Sequence, residues 1–140
     1  MEMSLEKDVT ELRDKIAHKY DMLNSLWLDV QKQLTSCQIP RPVVHIYHSA
    51  CSGPEEPMVY TALGLQKIHG KWTLCQTQYE DRFDPHHHDW VPILQCSVQI
   101  RLEAAPHVEA LYAAVVQSAE DFIPEVDSAI AALSGVLAPF

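Results

Sequence analysis

The chain has 140 residues, 47% hydrophobic and 21% charged, with 19 acidic against 10 basic side chains and a net charge of −9. That length predicts one domain spanning 1–140, and a composition this close to globular averages excludes disorder and fibrous repeats. No apolar run approaches the roughly 18 residues of a membrane span, the acidic opening Met1–Glu6 carries no apolar leader segment, and the negative charge repels a phosphate backbone, so neither membrane nor nucleic acid is an expected partner and a cytoplasmic location is expected.

The first element is an amphipathic helix. Leu5, Val9, Leu12, Ile16, Tyr20, Leu23, Trp27, Val30 and Leu34 recur in steps of 3 and 4, which keeps them on one face. Glu6, Asp8, Glu11, Arg13, Asp14, Lys15 and Lys19 fall between them and suit water. Ser4 is the expected N-cap, and Ile39-Pro40-Arg41-Pro42 closes the segment because Pro disfavours helix in the residue before it. About 30 residues at 1.5 Å each make a helix of roughly 45 Å, longer than a globule of radius of gyration about 14 Å can cover. Part of the stripe is therefore expected to pair with another chain. A homodimer with its seam over Leu5–Ile16 is the simplest form of that pairing.

Val43–His48 reads as a short strand, rich in β-branched and aromatic residues, followed by the turn-forming loop Ser49–Pro57. Met58–Ile68 and Lys71–Tyr79 read as the arms of a hairpin turned by His69-Gly70. In that register Leu65 faces Leu74, Lys67 faces Trp72 and Gly64 falls opposite Cys75, which marks a bulge or a close approach. Asp81–Asp89 is a loop, and the alternation Leu94, Cys96, Val98, Ile100, Leu102 predicts a fourth, long strand from Trp90 to about Glu103. Leu63, Leu65, Trp72, Leu74, Val98 and Ile100 are the expected buried set of the sheet.

From Pro106 a final helix follows, with Val108, Leu111, Val115, Ala119, Phe122 and Ile123 on one face. It is kinked or split near Pro124, continues through Val126, Ile130, Leu133 and Leu137, and is expected to stop at Gly135. The fold class is thus α+β: a long N-terminal helix, a four-stranded antiparallel meander and a C-terminal helix, with the helices on one face of the sheet.

The chemistry-bearing residues are sparse. Of eight histidines, three are consecutive: His86-His87-His88, bracketed by Asp84 and Asp89 and followed by Trp90. Imidazole and carboxylate are ordinary metal ligands, but consecutive residues of an extended chain point to opposite sides, so no metal and no other cofactor is expected. His86, His87, His88, Asp89 and Trp90 are instead taken as a candidate binding segment, Trp90 being the tryptophan expected to be partly exposed. His45, His48 and Cys51, with Cys37 upstream, have zinc-ligand types at unsuitable spacing, since His45 and His48 are an odd number apart on a strand and meet only if the chain bends after Tyr47. Cys51 is the one loop cysteine that a histidine could activate. Cys37, Cys51, Cys75 and Cys96 form no CxxC pair and read as free thiols in a reducing compartment. No phosphate-binding, nucleophile-elbow or HExxH motif occurs, and no catalytic residue is assigned.

In layout the helix–antiparallel sheet–helix order, the size and the acidity resemble the small dimeric chaperones of bacterial secretion systems. The helix usual there between the third and fourth strands is replaced here by the short loop Asp81–Asp89. The reading favoured by the residues is a non-enzymatic protein-binding, adaptor or regulatory module that acts on a protein partner through an amphipathic helix and an acidic surface. Two alternatives stand beside it: a metal-dependent or cysteine-based enzyme using the 81–90 loop, and an acidic inhibitor that mimics nucleic-acid charge.

Overall fold

The computed structural model describes residues 2–37, 41–51, 53–81 and 89–138. The periodic N-terminal segment forms helix α1 (Glu2–Thr35) of 34 residues, one turn earlier than the Ser4 cap would start it, so Ser4 lies inside the helix. Its last turn is closed by side chains: the Thr35 hydroxyl donates to the Gln31 carbonyl and the Ser36 hydroxyl to the Gln33 carbonyl, at 2.8 and 2.7 Å.

Strands β1 (Val43–Ala50), β2 (Val59–Ile68), β3 (Lys71–Glu80) and β4 (Val91–Pro92) form one antiparallel sheet in chain order. The hairpin has the expected register, with Ile68 opposite Lys71, Lys67 opposite Trp72, Leu65 opposite Leu74 and Gly64 opposite Cys75. Both turn residues have positive φ, 50° at His69 and 81° at Gly70, the backbone a two-residue hairpin loop requires. Gly64 is a site of close approach. A Cβ there would sit 2.9 Å from the Trp90 ring and 3.0 Å from the Val43 carbonyl oxygen.

The expected long fourth strand is not present. Of the segment 90–103 only Val91–Pro92 pairs with β3; a 3-10 turn (Ile93–Gln95) and helix α2 (Val98–Ala104) follow. Ser97 starts α2 by accepting the Ile100 backbone N–H on its hydroxyl at 3.3 Å. The alternation that suggested a strand coincides with a helical series: Ile93, Cys96, Ile100, Ala104, Val108, Leu111 and Val115, in steps of 3 and 4, all contribute to the core. Val98 and Ile100 are accordingly half-buried residues of α2 rather than members of the sheet. Leu63, Leu65 and Leu74 are fully buried as expected, and Trp72 half-buried.

A second 3-10 turn (Ala105–His107) carries Pro106 at its start and leads into α3 (Val108–Leu137), 30 residues that run unbroken through Pro124 and past Gly135. Pro124 supplies no N–H to the Glu120 carbonyl, but this stretch is exposed and water can take that acceptor. Both long helices lie on one face of the sheet. Trp27 and Leu34 of α1 and Leu111 and Val115 of α3 join Val43, Leu63, Leu65 and Leu74 in one cluster. Each fully buried leucine there stabilises the fold by about 2 kcal/mol through area removed from water. Gln31 of α1 also accepts the Leu74 backbone N–H at 3.0 Å, on the side of β3 that short β4 leaves open.

Candidate functional site

The structure describes two of the five residues predicted for binding. His86, His87 and His88 lie outside the described residues. Asp89 is exposed, and its carbonyl accepts the Thr77 hydroxyl at 2.8 Å. By register Thr77, Cys75, Ala62 and Gly64 share the sheet face opposite the helices, so Asp89 and Trp90 cross that face, with the half-buried Trp90 ring over Gly64.

The second predicted group is partly brought together. The pairing of β1 with β2 slips between Ile46 and His48, so that His45 faces Leu63 and His48 faces Thr61. This is the bend that the odd spacing required, and it gives both histidines positions of the same parity. A third ligand does not join them: Cys37 and Cys51 are exposed, and among the described residues no three His, Cys, Asp or Glu side chains meet. The Cys51 thiol points to the carbonyls of Gly53 and Glu56 at 2.7 and 3.6 Å, which offer it no base. Burial pushes the Cys75 thiol up to about 12 and raises that of Cys96, so neither is a nucleophile near neutral pH.

The helix-covered face of the sheet, which carries Leu63 and Leu65, also holds a cleft that the sequence did not reveal, because its outer wall is α2. Tyr47, His48, Thr61, Gln76, Gln78, Ile100, Glu103 and His107 line about 530 Å³. Tyr47 stacks on His107 at 4.7 Å and 19°, and the Gln76 amide reaches the Tyr47 hydroxyl at 3.5 Å. Burial raises the pKa of this phenol, which stays a neutral hydroxyl at physiological pH. The cleft offers polar contacts without a nucleophile–base pair.

The larger feature is what the helices leave uncovered. Leu23, Leu26, Trp27 and Val30 of α1 meet Ala105 and Val108 at the root of α3, in an apolar groove of about 250 Å³. At the other end Arg41, just beyond α1, pairs with Glu125 and lies 5.5 Å from the centre of the Phe122 ring. The two helices therefore run in the same direction, and their free halves leave the body at opposite ends. The α1 half exposes Leu5, Val9, Leu12, Ile16 and Tyr20, from 43 to 66%. The α3 half exposes Ile130, Leu133, Val136 and Leu137, from 56 to 73%. Val126, Ile130, Leu133 and Leu137, expected to extend the core face, are thus exposed, from 37 to 73%, and stand outside the core cluster. Total accessible surface is 10,002 Å², about 2,700 Å² above the roughly 7,300 Å² usual for this mass.

Compared with protein-family models, with curated proteins and with solved structures, the chain finds no match. Among the described residues no helix is long and apolar enough to cross a membrane.

Proposed function

We propose that the protein is a non-enzymatic adaptor, a small sheet-and-helix body that holds two apolar helical arms apart for protein partners. One observation carries this reading: the stripes of α1 and α3 continue well past the body and stay exposed at opposite ends. Contiguous apolar surface of that kind is costly in water and marks an interaction site. The free thiols fit a cytoplasmic setting.

The α3 arm specifies its partner by charge. The helix has no Lys or Arg; Glu120, Asp121, Glu125 and Asp127 lie around its exit from the body, and Ser128–Leu137 is uncharged. Its partner is an apolar surface bordered by Lys or Arg, as on a basic amphipathic helix. The test is fluorescence anisotropy with two designed amphipathic peptides, one with lysine and one with glutamate on its polar face. The lysine peptide should bind at micromolar concentration and at least tenfold more tightly than the glutamate peptide. The double variant Ile130→Asp, Leu133→Asp, with its circular dichroism unchanged, should lose that binding. Binding that survives in the variant would reduce the effect to net charge, and no binding by the unaltered protein would refute the adaptor reading.

A further inference from the structure

We infer that the α1 arm is covered by the α1 arm of a second copy of this chain, antiparallel, in one register. The inference rests on the reading of the arms as binding surfaces and names the occupant of one of them.

Length comes first. The stripe of α1 enters the core from Leu23 onward, where Trp27 and Leu34 are buried under the sheet. A parallel partner would have to continue along the same stripe into territory the sheet already fills, and would bring both bodies to one end. An antiparallel partner runs outward instead. Its overlap is then limited to the free residues before Leu23, about 30 Å of helix.

Charge then selects the register. Leu5, Val9, Leu12 and Ile16 are spaced 4, 3 and 4, a heptad seam occupying about 60° of the helix at 100° per residue. Asp8 and Lys15 border one side of this seam, and Glu6 and Arg13 the other. In a two-fold antiparallel pair each border meets the same border of the other chain. With Leu5 against Ile16 of the second copy and Val9 against its Leu12, Asp8 meets Lys15 and Glu6 meets Arg13. The symmetry repeats both pairings. A slip of one heptad in one direction sets Asp8 against Asp8 and Glu6 against Glu6. A slip in the other sets Lys15 against Lys15 and Arg13 against Arg13. Only the middle register is free of like-charge contacts, and it ends the overlap near Lys19, just short of the body. A pairing of two α3 arms has no such complement, because that helix carries acids alone.

The experiment is light scattering across 1–100 µM protein with variants of the full chain. The unaltered protein should weigh about 32 kDa, twice its 15.9 kDa. Leu12→Asp, at a residue 58% exposed in the single chain, should be monomeric and folded, with an unfolding midpoint that no longer depends on protein concentration. Asp8→Lys or Lys15→Glu alone should weaken the dimer about tenfold, and Asp8→Lys with Lys15→Glu should restore it to within about threefold. Rescue of Asp8→Lys by Arg13→Glu instead would show a parallel pair and overturn the register. A mass of 16 kDa at every concentration, or a dimer indifferent to Leu12→Asp, would overturn the inference. A monomer that still binds the lysine peptide would sink the dimer while leaving the adaptor reading intact.

Discussion

Gly64→Ala tests how the sheet's second face is covered, because one added carbon must fit under Trp90. The new Cβ would lie 2.9 Å from two atoms of the indole ring and 3.0 Å from the Val43 carbonyl oxygen. Comfortable carbon–carbon contact is about 3.5–4.0 Å, so the ring must retreat by more than half an ångström, while the carbonyl belongs to the paired backbone of β1 and has little freedom. Overpacking of this size costs about 1–3 kcal/mol. Replacing Gly also narrows the unfolded ensemble, which returns about 0.4–1 kcal/mol. The expected net loss is about 1–2 kcal/mol, to be read from urea unfolding followed by tryptophan fluorescence at fixed protein concentration, with the slope unchanged. The same substitution in a Trp90→Leu background should cost no more than half as much, since only the Val43 carbonyl then resists. Equal cost in both backgrounds would show that Trp90 does not cover Gly64. Unchanged or increased stability in the single variant would refute the close approach itself.

The Cys75 thiol, pushed by burial from 9.0 to about 12, favours the folded state while protonated. That contribution is complete below pH 9 and is lost as pH rises from 9 towards 12, at no more than about 1.4 kcal/mol per pH unit. Cys75→Ala should therefore show a smaller drop in urea midpoint between about pH 8 and pH 10.5 than the unaltered protein, and an equal drop would refute the assignment. Arg41→Ala removes the pair with Glu125, whose side chains are 52% and 58% exposed, together with the contact over Phe122. It should cost less than about 1 kcal/mol in the same assay; a loss above about 2 kcal/mol would show that the contact is shielded from water.

The hairpin was legible residue by residue because two constraints coincide in it. Leu63, Leu65, Trp72 and Leu74 alternate with period 2, and a two-residue loop allows one register without reversing them. The N-terminal helix was legible for the same kind of reason, an apolar series sustained over nine positions. The segment 93–104 is ambiguous in sequence because Leu94, Cys96, Val98, Ile100 and Leu102 satisfy a period of 2 while Ile93, Cys96, Ile100 and Ala104 satisfy 3.6. Ser97 decides between them locally by capping a helix, and the continuation to Val108, Leu111 and Val115 decides it globally. The cleft beside Tyr47 and His107 is hidden by that ambiguity, since its wall is α2. The slip in β1 falls at Tyr47, whose ring stacks on His107 60 positions away, a contact that no local pattern encodes. The free end of α3 could have been found by length alone: 30 residues make about 45 Å of helix against strands of about 33 Å.

The arms and the body answer to different physics. An isolated helix of a dozen residues is marginal in water because its first turn is costly to form. Here the body supplies that first turn: α1 is anchored from Leu23 to Leu34, and α3 from Val108 to Phe122. Each arm then needs only propagation, so it presents an ordered stripe before any partner arrives and association orders few residues anew. The apolar residues of the arms contribute little to the body's stability, since Leu5, Leu133 and Leu137 keep two-thirds or more of their surface in water. Substitutions at Leu5 or Leu133 should accordingly change affinity at constant unfolding midpoint once the protein is monomeric. Substitutions at Leu34 or Leu111 loosen the anchors, and through them lower both stability and affinity.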